Sequence, residues 1–90
     1  MLLAEVAATS TAVAATRARL AKRALLVATL RRAAGEGPDE VGLVARYLAG
    51  ELRQRRTGLG WRGLASTPPP ADEPSLTVTG VDRAFEAMAA

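Results

Sequence analysis

Between Leu2 and Ala34 the chain carries no glycine or proline and many strong helix formers, so helix is the expected state throughout. Leu3, Val6, Ser10 and Val13 form a weak stripe at helical spacing. The pattern loses phase near Ala15–Thr16, where a break is expected, and Thr16 can cap a second helix by accepting hydrogen bonds from free backbone N–H groups. In that helix Leu20, Ala24, Val27 and Leu30 follow one face of a 3.6-residue period, which is the face expected to be buried. Arg31 and Arg32 fall in its last turn, where cations suit the helix dipole, and Gly35-Glu36-Gly37 ends it.

Pro38 fits the first turn of a third helix, where its missing N–H costs nothing, and Asp39 and Glu40 favour the positive end. Val41, Val44 and Leu48 are expected to line its buried side, with Leu43 and Tyr47 flanking, and Gly50 to terminate it in the left-handed region. A basic, glycine-containing loop follows, with a short helix expected from near Trp61. Consecutive prolines make residues 67–76 an extended linker. Val78, Val81, Phe85 and Met88 then restore helical spacing, with Thr77 as the expected cap and Thr79 as its rival. The expected organisation is a single all-α unit: a basic helical part over 1–66, the linker over 67–76, and a closing helix over 77–90. The closing helix has an apolar face that needs a partner surface, and truncation of a longer protein is the expectation that accounts for it.

Composition narrows the chemistry. Ninety residues rich in alanine, with one Trp, one Tyr and one Phe, make at most one small domain. A chain of this size buries only about 60–65% of its unfolded surface, so independent stability is expected to be marginal. The absence of cysteine removes disulfides and thiolate chemistry and fits a reducing cytoplasm, the expected compartment. Without histidine, zinc sites and imidazole catalysis lose their usual residues, and no metal site is expected. The opening MLLAEVAATS lacks the basic start of a signal peptide, and no apolar run approaches the roughly 20 residues that span a bilayer.

The net charge of +3 is unevenly spread. Residues 1–66 hold eleven of the twelve Lys/Arg and five of the nine acids, whereas residues 67–90 hold Arg83 against Asp72, Glu73, Asp82 and Glu86. An anionic partner is therefore expected on the first part. The densest stretch is GELRQRRTGLGWRGL, Gly50 to Leu64. Its Gly58-Leu59-Gly60-Trp61-Arg62-Gly63 satisfies G-x-G-x-x-G. A dinucleotide fingerprint, however, needs an apolar strand before the first glycine and a long helix after the last. Here ELRQRRT precedes it and the proline linker follows, so the match is coincidental. Taken alone, the loop reads as a solvated turn. Its functional alternative is a phosphate clamp. Gly58 and Gly60 would let the backbone approach an anion, with Arg53, Arg55, Arg56 and Arg62 around it as guanidinium forks and Thr57 and Trp61 within the same loop. A second cluster, Arg17, Arg19, Lys22 and Arg23, reads as a solvated helix face for Arg17 and Lys22. Arg23 is odder, because it falls within the arc of Leu20, Val27 and Leu30.

The order of these features resembles the N-terminal DNA-binding domain of bacterial ATP-dependent DNA ligases, over nearly all 90 residues. The resemblance rests on T-x-x-R-L-x-K (Thr16, Arg19, Leu20, Lys22), Y-L-x-G-E-L (Tyr47 to Leu52) and G-L-G-W (Gly58 to Trp61), followed by LTVTGVDRAFEAMA. It implies one half of a pseudo-symmetric helical domain that holds nicked duplex DNA through its backbone, without reading sequence, in replication and repair. On that footing Arg53, Arg55, Arg56, Thr57, Gly58, Gly60, Trp61 and Arg62 become the DNA-phosphate site, with Arg19, Lys22 and Arg23 as secondary candidates. The expected location is then the cytoplasm, associated with the nucleoid through DNA.

The resemblance also implies ATP and Mg²⁺ for the whole ligase and none for this segment. The K-x-D-G motif that carries the adenylated lysine is absent from these residues, since the only lysine, Lys22, sits in K-R-A-L. No catalytic residue is assigned and the segment is expected to be inactive alone. The family's second half, with its own basic loop, and its catalytic domain are the expected missing partners. The competing expectation is a small protein–protein interaction module that docks through the closing helix, its basic loop incidental.

Overall fold

The computed structural model describes residues 1–58, 60 and 64–89. Among the described residues four helices carry the fold, as expected for an all-α chain: α1 (Leu3–Ala15), α2 (Arg19–Ala34), α3 (Pro38–Leu48) and α4 (Val78–Ala89). Helix α1 packs on α2 and α3, α2 on α3, and α3 on α4. Their junction encloses a small core of Val6, Ala33, Leu43, Val44 and Val78, with Met1, Leu30, Val41, Tyr47 and Leu48 partly buried against it.

The break between α1 and α2 lies where the pattern loses phase, but Thr16 does not cap α2. Its backbone is extended and closes α1. Its hydroxyl accepts the Ala18 N–H at 3.2 Å, forming a tight turn two residues before the helix. Ala18 is the N-cap of α2 and supplies no capping side chain.

The buried face of α2 also differs from the expected one. Leu20 is 77% exposed and Val27 is exposed, whereas Thr29 and Ala33 are buried on the far side of the helix, with Leu25 and Leu26 half-buried beside them. The cause is a polar contact that a hydrophobic stripe does not reveal. The Thr9 and Thr29 hydroxyls meet at 2.6 Å between α1 and α2. Each hydroxyl also has a carbonyl of its own helix in reach, Glu5 O and Leu25 O, both at 3.1 Å. Two small residues satisfied in this way let the helices approach closely, and the bulkier Leu20 is left outside.

Helix α3 starts as its sequence dictates, with Gly37 at φ +122° followed by Pro38 in the first turn. Leu43 is a core residue rather than a flanking one, and Val41 is only half-buried. Glu40 is buried too, at 6% exposure. Its charge is matched by the Met1 amine at 3.1 Å and by the Thr79 hydroxyl, which donates at 2.9 Å. The end of α3 explains the Y-L-x-G-E-L motif. Gly50 donates to Tyr47 O (3.0 Å) and Glu51 to Arg46 O (2.9 Å), a Schellman closure that requires the left-handed φ of +79° at Gly50.

The chain returns to α1 before α4 begins. Leu3 N–H donates to Leu76 O (2.8 Å) and Val78 N–H to Met1 O (2.9 Å), around an antiparallel bridge between Leu2 and Thr77. Thr77 is the cap of α4, accepting the Gly80 N–H at 3.0 Å. A Cβ at Gly80 would lie 2.9 Å from the Thr77 hydroxyl, so the cap and the glycine belong together. Much of the apolar face of α4 finds its partner within the chain. Val78 is fully buried and Val81 and Phe85 are half-buried, and only Met88 is left 48% exposed. No described helix is long and apolar enough to cross a membrane.

Candidate functional site

The basic loop begins at a left-handed glycine, Gly50, and meets a second at Gly58 (φ +77°). Between them the side chains divide into an anchored pair and an exposed pair. Arg53 faces α4 with a two-pronged contact. Its Nε and one terminal nitrogen each donate to Asp82 at 3.2 Å, and the same terminal nitrogen reaches Glu86 Oε2 at 2.7 Å. Gln54 turns inward to 7% exposure, and its amide nitrogen donates to Asp82 Oδ1 (2.9 Å), Glu86 Oε2 (3.0 Å) and Asp82 O (3.3 Å). Arg55 and Arg56 are exposed and make no ion pair among the described residues.

Asp82 and Glu86 lie one turn apart on α4, so both carboxylates reach the same two loop residues. The Arg53 hydrogen bond, then that of Gln54, holds the Asp82 carboxyl below its ordinary range despite partial burial. The same pairing raises the Arg53 guanidinium further above its already high value. Tyr47, close to this cluster, has its phenol pushed up by burial first and by the charge of Asp82 second. The Tyr47 hydroxyl and Gln54 Oε1 are buried without a hydrogen-bond partner among the described residues.

The expected site residues therefore divide. Arg53 is neutralised within the chain, which the loop sequence alone did not suggest. Arg55 and Arg56 project into solvent. Thr57 is half-buried and has an interaction of its own. At Gly58 and Gly60 no atom of the described residues lies within 4 Å of the position a Cβ would take, so on that side the backbone is open to approach. Trp61 and Arg62, and the short helix expected near them, lie outside the described residues. Along α2, Arg19 and Arg23 are exposed and Lys22 is half-buried on the core side. These cations crowd the first turns of a helix that has no acid in its first turn and no capping side chain. Arg19, in the first turn, opposes the helix dipole by about 0.3–1 kcal/mol, so internal electrostatics does not account for its placement.

An open cleft of about 340 Å³ between α3 and α4 has Arg46 and Arg53 facing Asp39 and Asp82. Its charges compensate one another, and it offers no concentrated field to an anion. No group of three His, Cys, Asp or Glu among the described residues is placed to hold a metal ion. The residues of this cluster that sequence reasoning missed are Gln54, Asp82 and Glu86. Two acids spaced one turn apart on an amphipathic helix, in a segment of opposite net charge to the loop, were the available signal.

The chain is 65% identical over 89 residues to a probable DNA ligase of Beutenbergia cavernae, covering 99% of this chain and 17% of that protein. It is 57% identical over 90 residues to a probable DNA ligase of Kineococcus radiotolerans, covering all of this chain and 18% of the relative. DNA ligase B of Mycobacterium tuberculosis is 55% identical over 84 residues, 91% of this chain and 16% of the relative. The chain thus spans about a sixth of the length of the curated relatives it matches. No family model and no solved structure matches it.

Proposed function

We propose that this chain is a DNA-backbone-binding segment of an ATP-dependent DNA ligase, half of a helical DNA-binding domain. It grips duplex DNA around a nick, without reading sequence, so that a catalytic region outside these residues can seal it. The observation that carries the reading is the pair Arg55 and Arg56. Both are exposed and free of ion pairs among the described residues, and they sit between an anchored dipeptide and the open backbone of Gly58. Similarity along the whole of this chain to about a sixth of each DNA ligase relative supplies the context. Two guanidinium forks beside an accessible glycine backbone match phosphate oxygens in geometry and charge, and such contacts position a duplex without specifying bases. Arg53 is assigned to holding the loop rather than to phosphate. Arg19, Lys22 and Arg23 at the positive end of α2 form the second, weaker contact. For the whole protein the resemblance implies ATP and Mg²⁺, and no residue described here is assigned to either.

The alternative, docking on a partner protein through α4, loses most of its surface, because Val78, Val81 and Phe85 are largely covered by this chain. The test is affinity for nicked duplex as salt is raised. Each lost phosphate contact lowers the log–log slope by about 0.9, so changing Arg55 and Arg56 to Ala should lower it by about 1.8. A fourfold rise in salt then weakens the native chain about twelve-fold more than the variant. A flat salt response of the native chain, or an unchanged slope in the variant, overturns the proposal.

A further inference from the structure

Resting on that reading, we infer that Asp82 and Glu86 of α4 are positioning residues for DNA. By holding Arg53 and Gln54, they fix the loop so that Arg55 and Arg56 face the phosphate backbone. The geometry is specific. Five contacts to the two carboxylates, between 2.7 and 3.2 Å, converge on two adjacent loop residues. A sixth ties Gln54 to the Asp82 backbone at 3.3 Å. Gln54 can be accommodated only with its amide nitrogen toward the acids, since the opposite orientation would set its oxygen against two carboxylates. That orientation leaves Gln54 Oε1 buried without a partner, a cost tolerated for the sake of the contact. Beyond this dipeptide the loop makes no ion pair among the described residues, and Arg55 and Arg56 project from the position next to this anchor, with Thr57 making a contact of its own on their other side.

The effect of these carboxylates on binding has an unusual sign. Carboxylates beside an anion-binding loop repel DNA, and on charge alone their removal should strengthen binding. Removing both acids would also free Arg53 for a new phosphate contact and raise the salt slope by about 0.9. If the acids position the loop, removing them has the opposite effect. The loop must then be ordered at the moment of binding, which weakens affinity about five- to thirty-fold for each backbone residue re-fixed. Where that cost exceeds what the contacts return, Arg55 and Arg56 no longer engage phosphate, and the slope falls toward that of the Arg55/Arg56 variant.

The experiment compares the native chain with Asp82→Asn, Glu86→Gln and Gln54→Glu on a fluorescently labelled nicked duplex across a salt series. Circular dichroism checks the helical content of each, and backbone ¹⁵N relaxation reports the order of Arg55 and Arg56. Glu86 is 57% exposed, so its substitution leaves the core intact and serves as the variant safest for folding. Gln54→Glu adds a third carboxylate to the cluster and should release the loop most completely. Weaker binding, a lower slope and greater mobility at Arg55 and Arg56 in Glu86→Gln and Asp82→Asn, at native helix content, is the expected result. A reversed pair, Arg53→Asp with Asp82→Arg, should recover part of the affinity. Equal or tighter binding of the acid variants overturns the inference while leaving the DNA reading standing, provided that the Arg55/Arg56 variant still loses slope. Failure of the native chain to bind overturns both.

Discussion

Changing Thr29 to valine keeps the shape of the side chain and removes one hydroxyl from the interface between α1 and α2. Thr9 and Thr29 have two hydroxyl protons between them, and three contacts compete for these protons: the 2.6 Å contact between the hydroxyls and the two helix carbonyls at 3.1 Å. One hydroxyl therefore donates across the interface while the other donates to its own helix. In Thr29→Val the surviving Thr9 hydroxyl retains Glu5 O as an acceptor, so no buried donor is orphaned. What is lost is the interhelical bond, about 1 kcal/mol net, together with a weak 3.4 Å contact from the exposed Arg32 guanidinium. Thr9→Val loses the same interhelical bond and keeps the Arg32 contact. The double variant removes both polar groups together and adds two buried methyl groups to a close contact, so it should return to within about 0.5 kcal/mol of the native chain. The coupling between the two sites is then about 1.5 kcal/mol. Thermal and urea unfolding followed by circular dichroism measure the cycle, and each 1 kcal/mol corresponds to a Tm change of about 4–8 °C in a chain of this size. Additive losses in the double variant would refute the shared-proton account of this interface.

The acid limb of stability should report Asp82. Its folded pKa lies below the ordinary 3.8, so its contribution is fully present above that value and is lost as the pH falls through the lower folded value. Asp82→Asn should flatten that part of a Tm-against-pH curve, and an unchanged curve would show the pair to be energetically silent. Val44, at 0% exposure, should cost about 2–3 kcal/mol on truncation to alanine, enough to unfold much of a marginally stable population. Leu20→Ser, at 77% exposure, should stay within about 0.5 kcal/mol of the native chain, contrary to what its place in the hydrophobic stripe implies; a loss comparable with that of Val44→Ala would restore the stripe.

Local signals were legible and distant ones were not. The break after Ala15, Pro38 in the first turn of α3, the closure at Gly50 and the Thr77 cap all depend on residues within a few positions of one another. The face of α2 was misread because the helix is rich in alanine, which gives little contrast between its sides, and because the deciding contact joins two threonines 20 residues apart. Burial of Glu40 follows from Met1 and Thr79, each 39 residues away. The loop shows the same limit. That Arg55 and Arg56 are exposed could be anticipated from composition, but the engagement of Arg53 depends on acids 29 and 33 residues further on.

The backbone junction of Leu3 with Leu76 and of Met1 with Val78 has a consequence for the order in which the chain can fold during synthesis. Helices α1 to α3 are complete in sequence well before their closing partner exists, and at about 5–20 residues per second the interval from Met1 to Val78 lasts roughly 4–15 s. Through that time the first turn of α1 lacks its backbone partner and Glu40 lacks Thr79. The anchor for Arg53 and Gln54 arrives with the same helix start. A nascent chain therefore exposes its cationic loop without the Asp82 and Glu86 contacts, and a single late event, the arrival of α4, both completes the core and supplies them.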